Sequence, residues 1–167
     1  KGDGGGGGRR RGRSTQGLPK VDQSDLDLLP EVDYNHFDQM TPTDLAKAAK
    51  KAKISIDQPR NVVIEELLLA SNPECIYGRG ILELMNDGWG FLRRENYIPA
   101  PSDIYVSQSQ AKRFALKPGD TVYGLVRAPK EGEKYQGMLR VESVNGHATG
   151  SMEMQRRLNF DELTPLH

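Results

Sequence analysis

The sequence predicts an α+β protein in which a small N-terminal helical subdomain precedes a five-stranded β-barrel. Two observations support this fold class. Residues 41–71 combine helix-start signals with apolar residues at helical spacing, whereas residues 75–145 form short runs of period two separated by turn residues. A third observation concerns residues 1–20, which are rich in Gly and Arg and nearly free of apolar side chains, so we expect a disordered tail there.

Composition restricts the size of the ordered part. The 167 residues include 18 Gly and 10 Pro, which is compatible with one ordinary domain or two small ones. A single cysteine, Cys75, excludes an internal disulfide and a cysteine-rich zinc site, and it is most simply a small buried hydrophobe. No hydrophobic run approaches the length of a membrane span or a signal peptide, so we expect a cytoplasmic protein without a membrane partner.

The formal net charge is zero, yet the charges are segregated along the chain. Residues 1–20 carry six Lys and Arg against one Asp, and residues 21–40 carry six Asp and Glu with no Lys or Arg. The basic segment suits flexible contacts to phosphate, or it is a solvated spacer, and the sequence leaves both open. The acidic stretch is predicted to be loose as well, and it could mask the basic tail or a basic groove. Residues 1–40 are therefore predicted to be a tail.

Order is predicted to begin at Thr41. A Thr cap, Pro42 at the first helical position and Asp44 three residues after the cap together favour a helix start. The apolar residues that follow on one face are Leu45, Ala48, Ala49 and Ala52. A second helix is predicted over residues 62–70, and the two helices form a subdomain, residues 41–71, that is too small to stand alone.

Short strands are predicted from Cys75 onward. The hairpin signal Asn86-Asp87-Gly88 separates the first two strands, and Ser107 is placed to cap a short helix that runs through Phe114. The predicted strands cover residues 77–85, 89–94, 103–106, 121–127 and 135–144. Five strands with a helix between the third and the fourth match a small Greek-key barrel of the oligonucleotide-binding (OB) kind over residues 75–145. The remaining residues, 146–167, are predicted to be a linker.

The motifs that catalysis would need are missing from this sequence. The Gly-x-x-x-x-Gly-Lys-Ser/Thr motif that cradles nucleotide phosphates is absent, and the three histidines, His36, His147 and His167, lie far apart in predicted loops or tails. We therefore expect no enzyme active site, no metal site and no cofactor in this chain.

A nucleic-acid site is the better-supported hypothesis. Trp89 and Phe91 are two residues apart on a strand and share one face, with Gly90 between them, so they offer flat surfaces for base stacking. The alternative is that both are core residues of a half-buried strand. In OB barrels the second and third strands form the binding face, which adds Tyr105 from the third strand. Arg93 continues the parity of the two aromatics on the second strand.

The loop between the fourth and fifth strands is the other usual contact region of these barrels. It supplies cations, a carboxylate and an aromatic ring: Lys130, Glu133, Lys134 and Tyr135. A carboxylate accepts a hydrogen bond from the exocyclic amine of cytosine, so Glu133 or Asp103 would favour that base over uracil. Glu133 and Lys134 could instead be an exposed loop pair of little energetic consequence.

Five segments resemble the RNA-binding domain of the bacterial transcription termination factor Rho family. They are Gly80–Leu84, Asp87–Arg93, Asp103–Ser107, Pro129–Tyr135 and Leu163–His167. Simple cold-shock domains share the Gly-aromatic-Gly-Phe element but not the Pro-Lys-Glu-Gly-Glu loop or the closing segment, which makes the match specific. The two predicted helices are similar to the family's N-terminal helical subdomain, though less closely.

The resemblance implies that the barrel binds single-stranded, cytosine-rich nascent RNA. Trp89, Phe91 and Tyr135 would stack on or enclose bases, and Tyr105 would line the same pocket. The groups that would contact the base edges and complete the loop contacts are Arg93, Asp103, Lys130, Glu133 and Lys134. The sequence departs from the family at two of these positions. Trp89 stands where phenylalanine is usual. Lys134 stands where arginine is common, and a lysine cannot donate the paired hydrogen bonds of a guanidinium group.

The resemblance also implies a larger machine. In the family this domain is the primary loading site of a homohexameric, ATP-driven RNA helicase that acts on the transcription complex, with RNA polymerase as a further partner. ATP and Mg would belong to an ATPase domain beginning just after His167. Two alternatives remain open at this point: a cold-shock-like chaperone of single strands with little base preference, and a protein-interaction domain whose acidic stretch binds a basic partner and whose barrel aromatics are core residues.

Overall fold

The computed structural model of the protein describes residues 17–93 and 103–163, the last four of these by their backbone alone. The helices are α1 (Gln23–Leu26), α2 (Tyr34–Asp38), α3 (Pro42–Lys51), α4 (Arg60–Ser71), α5 (Gln108–Arg113) and α6 (Met152–Leu163). The strands are β1 (Ile76–Leu84), β2 (Gly90–Arg93), β3 (Ile104–Val106), β4 (Thr121–Arg127), β5 (Gln136–Val144) and β6 (His147–Ala148). The predicted basic tail up to residue 16, the end of the second strand at Arg94 and the closing residues 164–167 lie outside the described residues.

The first five strands form a closed barrel. β1 pairs antiparallel with β2 and with β4, β2 pairs with β3, and β4 pairs with β5. A short parallel pairing closes the barrel, with Ile104 on β3 opposite Gln136 on β5 and Tyr105 opposite Gly137. The fold class predicted from the sequence, an α+β protein with a five-stranded OB barrel, is confirmed, and β6 adds one short strand beside β5.

The barrel is filled by the inward-facing residues of these strands. Leu82 on β1 lies opposite Leu92 on β2, and Leu92 lies opposite Ile104 on β3, so one row of core side chains crosses three strands. All three side chains are at most 2% exposed. The hairpin between β1 and β2 turns at Gly88, whose backbone φ of +93° is one that residues other than glycine rarely adopt. The Asn-Asp-Gly signal therefore predicted the correct turn.

The helical subdomain packs on the outside of the barrel. Thr41 accepts a hydrogen bond from the Asp44 backbone N–H at 3.1 Å and Pro42 is the first residue of α3, as the sequence predicts. Buried residues of α2, α3 and α4 form one hydrophobic cluster with Tyr123 of β4 and with Ala148 of β6. The helices are thus held by the barrel, which explains how so small a unit is stable.

The acidic stretch is not loose within the described residues, which corrects the sequence prediction. It contains α1 and α2, and Tyr34 is only 1% exposed. The carboxylate of Glu142, on β5, accepts hydrogen bonds from the Tyr34 backbone N–H and from Arg140 Nε, each at 2.8 Å. Arg140 also donates to the Pro30 carbonyl oxygen at 2.7 Å. Two charged barrel residues therefore anchor this stretch, although its own composition is typical of a disordered segment.

The described part of the region predicted to be a linker, from residue 146, is ordered and packs on the barrel. α6 covers Met152–Leu163, Met154 is 2% exposed, and Leu158 packs against the barrel core. The Arg157 guanidinium forms an ion pair with Asp120 and donates to the Ala115 carbonyl oxygen at 2.7 Å. These contacts join residues far apart in sequence, which is why local patterns did not reveal them. None of the described helices is long and apolar enough to cross a membrane.

We predict that Glu142→Ala lowers the free energy of unfolding by about 3–5 kcal/mol, because it leaves Arg140 and the Tyr34 N–H without their buried acceptor. Urea denaturation followed by circular dichroism measures this change. Glu153→Ala is the control, since the Glu153 side chain is 53% exposed. A loss below about 1 kcal/mol for Glu142→Ala would show that the anchor contributes no more than an ordinary surface pair.

Candidate nucleic-acid interface

The outer face of strands β1 to β3 carries the aromatic residues predicted from the sequence. Phe91 lies opposite Glu83 on β1 and opposite Tyr105 on β3, so these three side chains share one face. The neighbouring residue, Leu92, belongs to the barrel core instead. The aromatics therefore lie on the side of the sheet that points away from the core.

The aromatic side chains gather in a small cluster that is separate from the barrel core. We call Met85, Trp89, Phe91 and Tyr105 the aromatic cluster. The ring centroid of Trp89 lies 5.6 Å from that of Tyr105 and 6.5 Å from that of Phe91. Trp89 is 6% exposed and Phe91 is 2% exposed, whereas Tyr105 is half-buried. The rings thus lie outside the barrel core and are nevertheless covered.

One polar group in the aromatic cluster is unsatisfied. The indole Nε1 of Trp89 is buried and has no hydrogen-bond partner among the described residues. A buried donor without a partner costs about 1–3 kcal/mol, so such groups are rare unless another molecule satisfies them. Burial raises the pKa of the Tyr105 hydroxyl, which keeps that group protonated. The cluster therefore combines ring faces with hydrogen-bonding groups, which is what a nucleobase can engage.

Arg93 and Asp103 flank the cluster on the strands that carry it. The Arg93 side chain is 66% exposed, and its Nη1 donates to Glu83 Oε1 at 3.2 Å. An exposed pair of this kind contributes only about 0–1 kcal/mol, so the guanidinium can exchange Glu83 for a phosphate. Asp103 is partly buried, and its carbonyl oxygen accepts from the Gln136 backbone N–H at 3.0 Å. Gln136 directly follows Tyr135, which is half-buried.

The loop between β4 and β5 is organised around Glu133. The Arg127 guanidinium donates from Nη1 to Glu133 Oε1 at 2.6 Å and from Nη2 to Oε2 at 3.0 Å. The Lys130 backbone N–H donates to the same carboxylate at 2.8 Å, and that of Lys20 donates at 3.3 Å. Hydrogen bonding to Arg127 lowers the pKa of Glu133 to about 2. With these donors in place Glu133 shapes the loop, and its contact with a base remains a prediction.

The two lysines of the loop differ in their surroundings. Lys134 is exposed, and its backbone N–H donates to the Gly17 carbonyl oxygen at 2.8 Å. The ammonium of Lys130 lies 3.3 Å from Asp25 Oδ1 and 4.0 Å from Asp22 Oδ2. Lys130 is therefore neutralised by the acidic stretch. The structure brings the loop and the aromatic cluster to neighbouring parts of the barrel because β3 pairs with β5.

Three residues at this surface were not singled out from the sequence. Leu18 packs against the aromatic cluster, Asp25 pairs with Lys130, and Arg127 holds Glu133. Arg127 ends β4 two residues before the Pro-Lys-Glu-Gly-Glu loop, so its proximity to the loop was a usable signal. Nothing in the local sequence indicated the positions of Leu18 and Asp25, because they reach the barrel from more than 60 residues away.

Comparison with known proteins agrees with this geometry. Residues 78–149, which include most of the barrel, match the family model described as Rho termination factor, RNA-binding domain. The chain is 38% identical over 135 residues to the transcription termination factor Rho of Aquifex aeolicus (strain VF5), an alignment that covers 77% of this chain and 31% of that protein. It is 41% identical over 155 residues to Rho of Rhodopirellula baltica, covering 90% of this chain and 30% of the relative.

Rho of Escherichia coli (strain K12) is 46% identical over 100 residues, which covers 59% of this chain and 23% of that protein. The chain thus spans about a third or less of the length of these curated relatives. The aromatic cluster and the loop organised by Glu133 both lie within the range matched by the family model, Tyr105 and Arg127 included. Residues 78–149 form an RNA-binding domain of the Rho termination factor family.

Proposed function

We propose that this domain loads single-stranded, cytosine-rich RNA for a Rho-type transcription termination factor. The observation that carries the proposal is the aromatic cluster, which lies on the outer face of β2 and β3 beside a charged loop with an exposed lysine, Lys134. Base stacking on such rings contributes about 1–3 kcal/mol per base, and nearby cations add attraction to the phosphates. Trp89, Phe91, Tyr105 and Tyr135 would supply the stacking surfaces in this arrangement.

The preference for cytosine would come from hydrogen bonds to the base edge. Asp103 directly precedes β3 and is bonded through its backbone to Gln136, the residue after Tyr135, and its carboxylate would accept from the cytosine exocyclic amine. Uracil has a carbonyl at that position, so it would meet the carboxylate as a second acceptor. Arg93 would donate to an acceptor on the base or to a phosphate. Glu133 is occupied by Arg127, which argues against Glu133 as the group that discriminates between the bases.

The activity of the whole protein is part of the proposal. The relatives that match this chain are named transcription termination factor Rho and are about three times its length. We infer that the RNA held by this domain is passed to an ATP-driven helicase portion of a homohexamer, where ATP and Mg would bind. In this scheme the domain contributes binding, and RNA polymerase is met through the larger assembly.

We predict that Tyr105→Ala weakens binding of oligo-C RNA by about 1–3 kcal/mol, because a stacking surface is removed from a half-buried position. Fluorescence anisotropy with labelled oligo-C and oligo-A measures the effect, and the unaltered protein should prefer oligo-C. Tyr105→Phe is the matched control, since it keeps the ring and removes only the hydroxyl. Equal affinity for oligo-C and oligo-A in the unaltered protein would contradict the cytosine pocket.

We predict that Lys134→Ala reduces the slope of log Kd against log salt by about 0.7, the value for one phosphate contact on a single strand. Lys47→Ala is the control, because Lys47 is also exposed but lies on α3, in the helical subdomain. Anisotropy titrations across a range of KCl concentrations measure both slopes. If the two variants change the slope equally, the loop is not the place where the RNA backbone is bound.

A further inference from the structure

Residues 17–25, which we call the strap, cross the proposed RNA site. The strap begins at Gly17, whose carbonyl oxygen accepts from the Lys134 backbone N–H at 2.8 Å. Two residues later Pro19 is buried against Gly137 of β5. The Lys20 carbonyl oxygen then accepts from Arg127 Nη2 at 2.9 Å. The strap is therefore fixed by its backbone along the loop that joins β4 to β5.

Two side chains of the strap contact the two kinds of group that RNA would need, the aromatic cluster and the cationic side chains. Leu18 packs against the aromatic cluster, which contains the rings proposed to stack on bases. Asp25 is buried, and its carboxylate lies 3.3 Å from Lys130 Nζ and 3.3 Å from Arg127 Nε. An apolar side chain thus takes the place of a base, and a carboxylate takes the place of a phosphate.

We propose that the strap is an intramolecular competitor of single-stranded RNA, which must displace Leu18 and Asp25 to bind. This inference rests on the proposed function and adds a regulation of the same site. Exchange of Asp25 for a phosphate replaces one anion by another beside Arg127 and Lys130. The charges therefore favour neither the closed strap nor the RNA-bound protein strongly. The balance then depends on the aromatic cluster, where a base competes with Leu18.

The unsatisfied indole of Trp89 supports a displaceable strap. With Leu18 in place, Trp89 Nε1 is buried and has no partner among the described residues. Departure of the strap would let water or an RNA acceptor meet this donor. The strap also depends on few apolar side chains, because among its residues Pro19 is buried and Leu18 is only partly buried. A segment held mainly by backbone hydrogen bonds and ion pairs is easier to release than one held by an apolar core.

The 167-residue protein can be locked with its strap closed. A Cβ atom on Gly137 would lie 3.0 Å from the Pro19 Cβ, slightly closer than the separation of about 3.5–4.5 Å in disulfides, so Pro19→Cys with Gly137→Cys needs only a small adjustment. Cys75→Ser removes the competing thiol. We expect the oxidised protein to bind oligo-C RNA at least about tenfold more weakly than the same protein reduced with dithiothreitol. The disulfide depletes the conformation in which the strap is released, and only that conformation binds RNA in this scheme.

Release of the strap provides the complementary measurement. Leu18→Ala should strengthen oligo-C binding by about three- to tenfold, since it weakens the competitor without altering the proposed RNA contacts. It should also increase iodide quenching of Trp89, the one tryptophan of the chain, in the absence of RNA. Leu28→Ala is the matched control, because Leu28 is a nearby leucine that is 79% exposed and lies outside the strap.

The outcomes separate this inference from the proposed function. If the oxidised, reduced and Leu18→Ala proteins all bind oligo-C with the affinity of the unaltered protein, the strap is not a competitor, and the RNA-binding function stands. If the reduced and Leu18→Ala proteins do not bind oligo-C at all, the proposed function fails and the inference fails with it. Stronger binding by Leu18→Ala together with weaker binding by the oxidised protein supports both.

Discussion

The short parallel pairing between β3 and β5 is the constraint on which the rest of the structure depends. It involves only two residue pairs, Ile104 with Gln136 and Tyr105 with Gly137, yet it closes the barrel. Closure buries the core row of Leu82, Leu92 and Ile104 and leaves the next residues of the same strands on the outside. It also sets the aromatic cluster beside the β4–β5 loop, so that stacking rings and cations share one surface.

Charged groups then attach the remaining chain to this barrel. Glu142 and Arg140 hold the backbone before α2, Arg127 with Glu133 shapes the loop and holds the strap, and Asp120 pairs with Arg157 of α6. Each attachment uses a partly or fully buried charge that is paired and hydrogen-bonded, which is the condition under which such groups are tolerated. The helices therefore depend on the barrel for their stability, and the barrel surface depends on the N-terminal residues for its cover.

Most of the fold was predictable because its signals are local. The cap at Thr41, the Asn-Asp-Gly turn before Trp89 and the Ser107 cap of α5 each depend on residues within one turn of chain, and the structure confirms all three. The acidic stretch and the region from residue 146 were missed for the opposite reason. Their order comes from Glu142, Arg140 and Asp120, which are distant in sequence, and no local pattern could supply those partners.

The aromatic cluster shows the same division between features set by local sequence and features set by distant residues. The sequence by itself determined that Trp89 and Phe91 share a face, that Tyr105 belongs to the adjacent strand, and that a charged loop follows, because strand periodicity and barrel topology follow from local patterns. Only the tertiary structure decided that Trp89 and Phe91 are buried in a cluster against which Leu18 packs, that Glu133 is bound by Arg127, and that Lys130 is paired with Asp25. The physical reason is that periodicity assigns a side chain to a face, whereas its exposure and charge partners depend on whatever distant segment packs on that face.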